Sequence, residues 1–135
     1  MTVQNYTNSI NVNSSNKEAF SALTENLHYW WGKTSSKLFE ENGQFTVTFD
    51  NGYWWTFKIV EFKPNNKLIW KCVNGEPEFN KEWINHTIHW KISSKNNSTH
   101  INFLQIGLTP ELDCYEVCSS TWDRFLLGEL KNYLN

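Results

Sequence analysis

The chain has 135 residues, of which 39% are hydrophobic and 16% aromatic, with 12 Lys plus Arg against 14 Asp plus Glu. This length is typical of one domain that buries about two-thirds of its unfolded surface. Only six Gly and three Pro are present, which excludes collagen-like and low-complexity chains, and the eight Trp and nine Phe supply apolar bulk that disordered segments lack. The formal charge of −2 argues against a general nucleic-acid binder, which normally carries a basic surface.

The N-terminal segment, residues 1–16, is polar, rich in Asn and Ser, and lacks the apolar stretch of a signal peptide. No run of the sequence reaches the ~20 apolar residues that a membrane helix needs. Three cysteines, Cys72, Cys114 and Cys118, fit a reducing compartment better than a disulfide framework because their number is odd. The sequence therefore predicts one cytoplasmic domain over residues 1–135, without stable membrane insertion.

The chain is predicted to begin with a strand over residues 3–12, where apolar and polar side chains alternate. Ser15 and Glu18 have the spacing of a capping box, so a short helix is predicted to begin there. This helix is predicted to end before Trp30, and its apolar stripe consists of Phe20, Leu23 and Leu27.

Alternation with a period of two then predicts five consecutive strands joined by turns. Asp50-Asn51-Gly52 tolerates positive φ and predicts a hairpin between the first two of these strands. A polar excursion over residues 74–82 precedes the fourth strand, which is predicted to include Ile84. The side chains predicted to face inward are Phe45, Val47, Phe49, Trp55, Phe57, Ile59, Leu68, Trp70, Ile84, Ile88, Trp90, Ile101 and Phe103.

Residues 111–134 are predicted to form one amphipathic helix about 36 Å long at ~1.5 Å per residue. Pro110 suits the beginning of this helix. Apolar residues recur at helical spacing at Tyr115, Cys118, Trp122, Leu126, Leu130 and Tyr133. Consecutive strands with short turns imply an antiparallel sheet, and the helix can bury its stripe by lying across that sheet. The predicted fold class is therefore α+β.

A series of loose motifs follows the same order. These motifs are Trp30-Trp31, Ile59-Val60-Glu61-Phe62-Lys63-Pro64 with Lys67-Leu68, the segment 83–90 with a Trp at each end, Gln105-Ile106-Gly107-Leu108, and Trp122 with Leu126, Leu130 and Leu134. By their combined order and spacing, from about residue 16 to 134, the chain resembles the START-like (SRPBCC) superfamily. Within it, the chain is most similar to the activator-of-heat-shock-ATPase-homologue-like branch.

The resemblance implies a helix-grip fold with short N-terminal helices and a curved antiparallel sheet wrapped around a long C-terminal helix. It also implies a cavity between them, because superfamily members bind lipids, steroids and other hydrophobic ligands, while a minority are cyclases. The chain departs from this pattern at Asn85, where Gly is common, and at Gln105, where many relatives carry His. The second departure removes a titratable group and argues against acid/base chemistry at that position.

So large an aromatic face either packs as a solid core or lines an apolar pocket, and the resemblance favours the pocket. His86 and Gln105 are candidate anchors for a polar ligand group, although a backbone or water partner is the more common arrangement for either residue alone. The predicted ligand-binding residues are Trp31, Phe45, Trp55, Phe57, Trp70, His86, Trp90, Phe103, Gln105, Tyr115, Cys118 and Trp122.

No catalytic residue, metal site or cofactor is predicted. Cys114 and Cys118 share a helical face but lack a second ligand pair at motif spacing, so they are interpreted as buried hydrophobes. There is no Gly-x-Ser-x-Gly motif and no Gly-rich phosphate loop. Glu61 and His86 are each a conceivable general base, but no second catalytic group is predicted beside either one.

The sequence thus predicts binding of a small hydrophobic or amphipathic molecule, or a lipid, between the sheet and the C-terminal helix. One alternative is a co-chaperone-like interaction module that stimulates a heat-shock ATPase, which rests on the resemblance alone. A further alternative is a cyclase-like enzyme. A homodimer is also considered, because Trp54 and Phe62 are predicted to be outward-facing aromatics that a partner would cover.

Overall fold

A computed structural model describes residues 4–35 and 39–135. Within these residues, one antiparallel sheet has the strand order β1-β7-β6-β5-β4-β3-β2. Its strands are β1 (Tyr6–Val12), β2 (Lys33–Thr34), β3 (Gln44–Thr48), β4 (Trp54–Lys63), β5 (Lys67–Glu76), β6 (Thr87–Lys95) and β7 (Ser98–Ile106). The helices are α1 (Asn16–Ala22), a 3-10 turn (Leu27–Tyr29), α2 (Glu78–Lys81), α3 (Tyr115–Arg124), a π-helical segment (Phe125–Leu130) and α4 (Lys131–Leu134). The predicted α+β helix-grip fold is confirmed.

The first strand and the first helix form at the predicted places in the chain, although β1 begins only at Tyr6. The Glu18 backbone N–H donates to Ser15 Oγ at 3.1 Å, and the Ser15 backbone N–H donates to Glu18 Oε1 at 3.2 Å, which completes the capping box. Helix α1 ends at Ala22, whose carbonyl accepts a hydrogen bond from Trp30 Nε1 at 2.6 Å. Val3, where the first strand is predicted to begin, lies outside the described residues.

The prediction for the fourth strand is wrong at its beginning. Ile84 lies in a turn and is only half-buried, and β6 begins at Thr87. Asn85 has a φ of 77°, in the left-handed region, which interrupts the extended backbone. The polar excursion before this turn contains the end of β5 and all of α2. His86 therefore precedes β6, yet its side chain is buried.

The prediction that Phe62 faces outward is also wrong. Its ring packs edge to face on Phe20 of α1, with the ring centroids 5.1 Å apart. The pairing of β4 with β5 shifts register between Ile59 and Glu61, which marks a β-bulge. Because an extra residue exchanges the two faces of a strand, Val60 is exposed and Phe62 turns toward α1.

The C-terminal helix occupies residues 115–134, about 30 Å at ~1.5 Å per residue, and is shorter than predicted. Residues 110–114 form turns and a bend instead. The fully buried stripe is Cys118, Trp122, Leu126, Leu130 and Leu134, at intervals of four.

A spacing of four residues drifts by about 40° per step around an ideal α-helix, so a long stripe of this kind would leave the sheet. The wider π-helical segment over residues 125–130 offsets this drift. The stripe consequently remains buried as far as Leu134. Tyr133, predicted to lie in the stripe, is exposed and stacks on Tyr29 at 5.5 Å, while Tyr115 is half-buried.

The core lies between the concave face of the sheet and the C-terminal helix. Every side chain predicted to face inward is buried there except Phe49 and Ile84, which are half-buried. Among residues 4–35 and 39–135, none of the helices combines the length and apolar character required to cross a membrane.

Candidate ligand-binding site

A half-open cavity of about 460 Å³ lies at one end of the core, between the β3–β4 hairpin, α2 and the first half of the C-terminal helix. This volume falls in the range of small-molecule sites, roughly 300–1,000 Å³. The cavity is lined mainly by aromatic and apolar side chains. Its lining residues are Trp31, Phe49, Asp50, Asn51, Tyr53, Trp55, Phe79, Asn80, Trp83, Val117, Cys118, Thr121, Trp122, Arg124 and Phe125.

The structure separates the predicted ligand-binding residues into two groups. Trp31, Trp55, Cys118 and Trp122 line the cavity. The other predicted residues lie outside its lining, and all of these except half-buried Tyr115 are buried: Phe45, Phe57, Trp70, His86, Trp90, Phe103 and Gln105. Most of the inward face therefore packs against itself, and the cavity lies at one end of it.

Pattern reasoning missed the contribution of the segment before β6. Phe79, Asn80 and Trp83 lie in or just after α2, in or next to the polar segment for which no element is predicted. Phe79 and Trp83 are four residues apart, a spacing that places side chains on one helical face, so a weak signal was present.

Near-parallel indole rings form a continuous row along the cavity. The ring centroids of Trp55 and Trp83 are 4.0 Å apart with their planes 12° from parallel. Trp122 follows Trp83 at 5.8 Å and 12°, and Trp31 follows Trp122 at 5.2 Å and 25°. Offset stacks of this type add about 0.5–1.5 kcal/mol per pair beyond burial, so the row forms a well-ordered wall.

A buried hydrogen-bond network extends from this wall into the core. Trp122 Nε1 donates to Gln105 Oε1 at 2.8 Å, and Gln105 Nε2 lies 3.0 Å from His86 Nδ1. An indole N–H can only donate, so the Gln105 amide oxygen must face Trp122 and its NH₂ group must donate to His86. His86 Nδ1 is then an acceptor, and the neutral ring carries its proton on Nε2. The two predicted polar anchors are thus partners of each other.

Acidification is expected to weaken the folded state through His86. Burial lowers the pKa of this imidazole, so the unfolded chain binds a proton at a higher pH than the folded protein does. Protonation of Nδ1 would place two donors against each other, the imidazolium N–H and the Gln105 NH₂ group. A flip of the Gln105 amide does not help, because it would place the NH₂ group against the Trp122 N–H, which is also a donor. The pKa of a histidine in the unfolded chain is about 6.5. Above that pH the neutral His86 ring stabilises the folded state in full, and this contribution is lost progressively as the pH falls below that value.

Urea denaturation between about pH 7 and pH 5 measures this effect as a falling free energy of unfolding. His86→Gln is expected to flatten the fall. His28→Gln is the control, because His28 is exposed and lies outside the buried network. An unchanged slope in His86→Gln would contradict the proposed role of the network.

Cys114, which precedes the C-terminal helix, and Cys118, in the first turn of that helix, are both buried. The hydrogen bond between them lowers the pKa of Cys114 and raises that of Cys118. All three cysteines are free. The part of the chain that the structure describes contains no group of three or more His, Cys, Asp and Glu side chains arranged to hold a metal ion.

Glu61 lies outside the cavity lining and forms ion pairs with two lysines. Its carboxylate oxygens are 3.2 Å from Lys63 Nζ and 3.3 Å from Lys67 Nζ. The hydrogen bond from Lys63 is the main cause that lowers the Glu61 pKa. A carboxylate stabilised in this way is a weak general base, so the geometry gives the cyclase-like alternative no support from Glu61.

No protein-family model matches the chain, and no curated protein matches it. Among solved structures, it is similar to the solution structure of the Aha1 dimer from Colwellia psychrerythraea, with a TM-score of 0.82 and 25% identity over 97% of this chain and 96% of that one. Protein MLL2253 from Mesorhizobium loti matches with a TM-score of 0.75 and 19% identity over 96% of each chain. DynU16, from the dynemicin biosynthetic locus, matches 95% of this chain with a TM-score of 0.73 and 17% identity, but only 46% of its own length is covered. The chain therefore has a START-like helix-grip fold, and its structure is similar to that of an Aha1 protein over nearly its whole length.

Proposed function

We propose that this protein binds a small hydrophobic or amphipathic molecule in the cavity between the β3–β4 hairpin, α2 and the C-terminal helix. One observation carries the proposal: a cavity of about 460 Å³ remains at the end of a densely packed aromatic core, and four Trp side chains line it. Burying apolar ligand surface there is worth about 25 cal/mol per Å² before the costs of association are subtracted.

The mouth of the cavity supports the same proposal. Tyr53, Phe79 and Val117 line the cavity while remaining 38%, 36% and 57% exposed. Apolar side chains grouped around an opening are typical of ligand-binding grooves. Asp50 and Arg124 lie among them and can contact a polar group of the ligand. The free cysteines support a cytoplasmic location for this binding.

Filling the cavity is expected to abolish binding without unfolding the protein. Thr121 belongs to α3 and lines the cavity beside Cys118 and Trp122, so Thr121→Trp places an indole in the open space. Ser120→Trp is the matched control, because Ser120 is exposed and outside the lining. Titration with the apolar fluorophore 1-anilinonaphthalene-8-sulfonate should give a Kd at least about ten-fold weaker for Thr121→Trp, a difference of about 1.4 kcal/mol.

The same titration can refute the proposal. Wild-type protein that binds no probe, or a Thr121→Trp variant that binds as tightly as wild type and Ser120→Trp, would contradict a site in this cavity. Native mass spectrometry of the purified protein provides an independent readout, since a co-purifying ligand should be retained by wild type and lost from Thr121→Trp.

A second candidate function is a co-chaperone-like interaction module. The likeness to the Colwellia Aha1 dimer, at 25% identity over nearly the whole chain, favours it. If this candidate is correct, the purified protein should stimulate the turnover of a bacterial heat-shock ATPase, and sedimentation analysis should show a homodimer. Unchanged ATPase turnover at saturating protein would exclude it.

A further inference from the structure

We infer that the outer face of the sheet, over the neighbouring strands β4, β5 and β6, docks the protein on a bilayer that contains anionic lipids. This face is opposite the one that packs against the C-terminal helix, so the inference goes beyond the proposed function and concerns a different surface. Five lysines define this lysine face: Lys58, Lys63, Lys67, Lys71 and Lys91.

The five lysines lie on the side of the sheet away from the core. On β5, Lys67 and Lys71 alternate with the buried Leu68, Trp70 and Cys72, so their side chains point to the opposite face. The lysines of β4 and β6 are paired directly with these two, and residues directly opposite each other in an antiparallel pair share a face. All five side chains are half-buried or exposed.

Two pairs of lysines lie directly opposite each other across neighbouring strands. Lys58 pairs with Lys71, and Lys67 pairs with Lys91. Like charges at such positions destabilise a sheet. Lysine on an edge strand protects a protein against aggregation, but β4, β5 and β6 are interior strands of this sheet. The folded chain therefore gains nothing from the arrangement, whereas a negatively charged partner would be attracted by it.

Acidic side chains do not neutralise the lysine face. Among the outward positions of these three strands, the carboxylates are Glu61 and Glu76. Glu61 bridges two of the five lysines, and Glu76 already pairs with Lys81 at 2.7 Å. The other three lysines form no ion pair with any carboxylate in residues 4–35 and 39–135. The lysine face is thus positive on a chain whose formal charge is −2.

Aliphatic side chains lie between the two lysine pairs. Ile69 of β5 occupies the row between them, and Leu104 of β7 continues this row beyond His89. Val60, at the bulge of β4, is 38% exposed at the other end of the row. The two lysine pairs are four residues apart on β5, about 13 Å at ~3.3 Å per residue. The lysine face is therefore amphipathic, with an apolar strip between cations.

A lipid bilayer matches both parts of this surface. Lysine ammonium groups are attracted to anionic lipids while their methylene chains lie along apolar surface, and the aliphatic row can rest against the interface. Single-stranded nucleic acid is held instead by aromatic rings that stack on its bases, and between the lysine pairs the structure places Ile69 and Leu104. These observations favour an anionic bilayer over RNA.

Co-sedimentation with lipid vesicles tests the inference. We expect wild type to bind vesicles of equal parts phosphatidylglycerol and phosphatidylcholine. It should bind far less to phosphatidylcholine alone, and far less to the anionic vesicles in about 1 M salt, where the Debye length is about 3 Å. The variant Lys58→Glu/Lys91→Glu should bind the anionic vesicles at least about 25-fold more weakly, because each lysine near an anionic surface strengthens binding about five-fold.

A matched control separates the lysine face from net charge. Each new Glu in the test variant is opposite a lysine, Lys71 or Lys67, so the fold should be kept. The control variant is Lys17→Glu/Lys131→Glu, which changes the net charge equally at exposed positions of α1 and α4. It should bind close to wild type, because exposed charges more than a Debye length from the bilayer are screened.

Every outcome bears on the inference. Wild type that does not bind anionic vesicles, or a Lys58→Glu/Lys91→Glu variant that binds them as well as the control, would overturn it. Tighter binding of an RNA oligonucleotide than of the vesicles would also overturn it and would identify nucleic acid as the partner. None of these results changes the outcome of probe titration in the cavity, so the proposed function is tested separately.

A measurement on wild type keeps the inference testable if the double variant fails to fold. Bicelles of the same lipids that carry a lipid-anchored gadolinium chelate should broaden the amide signals of β4, β5 and β6 more than those of the C-terminal helix. Strongest broadening at the cavity mouth, around Tyr53, Phe79 and Val117, would contradict docking through the lysine face.

Discussion

Gly107→Ala is expected to destabilise the protein by about 3 kcal/mol or more, the sum of backbone strain and a steric clash. Gly107 follows β7 with a φ of 111°, a conformation that residues with a side chain rarely adopt. A Cβ at this position would lie 2.3 Å from His86 Cδ2 and 2.7 Å from His86 Nε2. The buried imidazole cannot move away without breaking its hydrogen bond to Gln105.

Urea denaturation of Gly107→Ala and of a matched control, Gly128→Ala, measures this effect. Gly128 lies in the π-helical segment, and a Cβ there would meet no atom within 4 Å. Ala is favoured over Gly in a helix, so the control should be neutral or stabilised by up to about 1 kcal/mol. A Gly107→Ala protein within about 0.5 kcal/mol of wild type would show that the contact between Gly107 and His86 is not the close one described.

Trp122→Ala is expected to cost about 3–5 kcal/mol, as large-to-small changes in a packed aromatic core do. Trp122 is 2% exposed, and its ring centroid is 4.5 Å from that of Phe103 and 5.2 Å from that of Trp31. The substitution also removes the inner wall of the cavity. Thermal denaturation should show the loss of stability, and probe titration should show weaker binding.

The hydrogen-bond part of this effect can be isolated with a double-mutant cycle. Trp122→Phe keeps an aromatic ring but leaves Gln105 Oε1 buried without its donor, which is expected to cost about 1–3 kcal/mol. In a Gln105→Leu background the same change should cost less, because the unpaired acceptor is gone. Equal costs in both backgrounds would contradict the network.

Much of the fold could be predicted because local signals and the global architecture agree. The Ser15 and Glu18 capping box fixes the beginning of α1, and alternation in β3, β4, β5 and β7 identifies the inward face. The errors arise where a single backbone feature overrides a pattern. The left-handed Asn85 delays β6, and the bulge after Ile59 turns Phe62 inward.

The candidate site was harder to predict, because the position of a cavity depends on packing between distant segments. Trp55, Trp83 and Trp122 come from β4, the turn after α2 and the C-terminal helix, and no local pattern brings their rings together. The fold class does not supply the function either, since one fold hosts many unrelated activities.

The central claim is that the cavity beside the indole row binds a small hydrophobic or amphipathic ligand. Intermolecular nuclear Overhauser effects between 2-naphthol and the wild-type protein test it most directly. We expect contacts from the naphthol ring protons to the Trp55, Trp83 and Trp122 side chains, which line the cavity, and loss of these contacts in Thr121→Trp. Contacts confined to residues outside the cavity lining, or contacts that persist in Thr121→Trp, would contradict the claim.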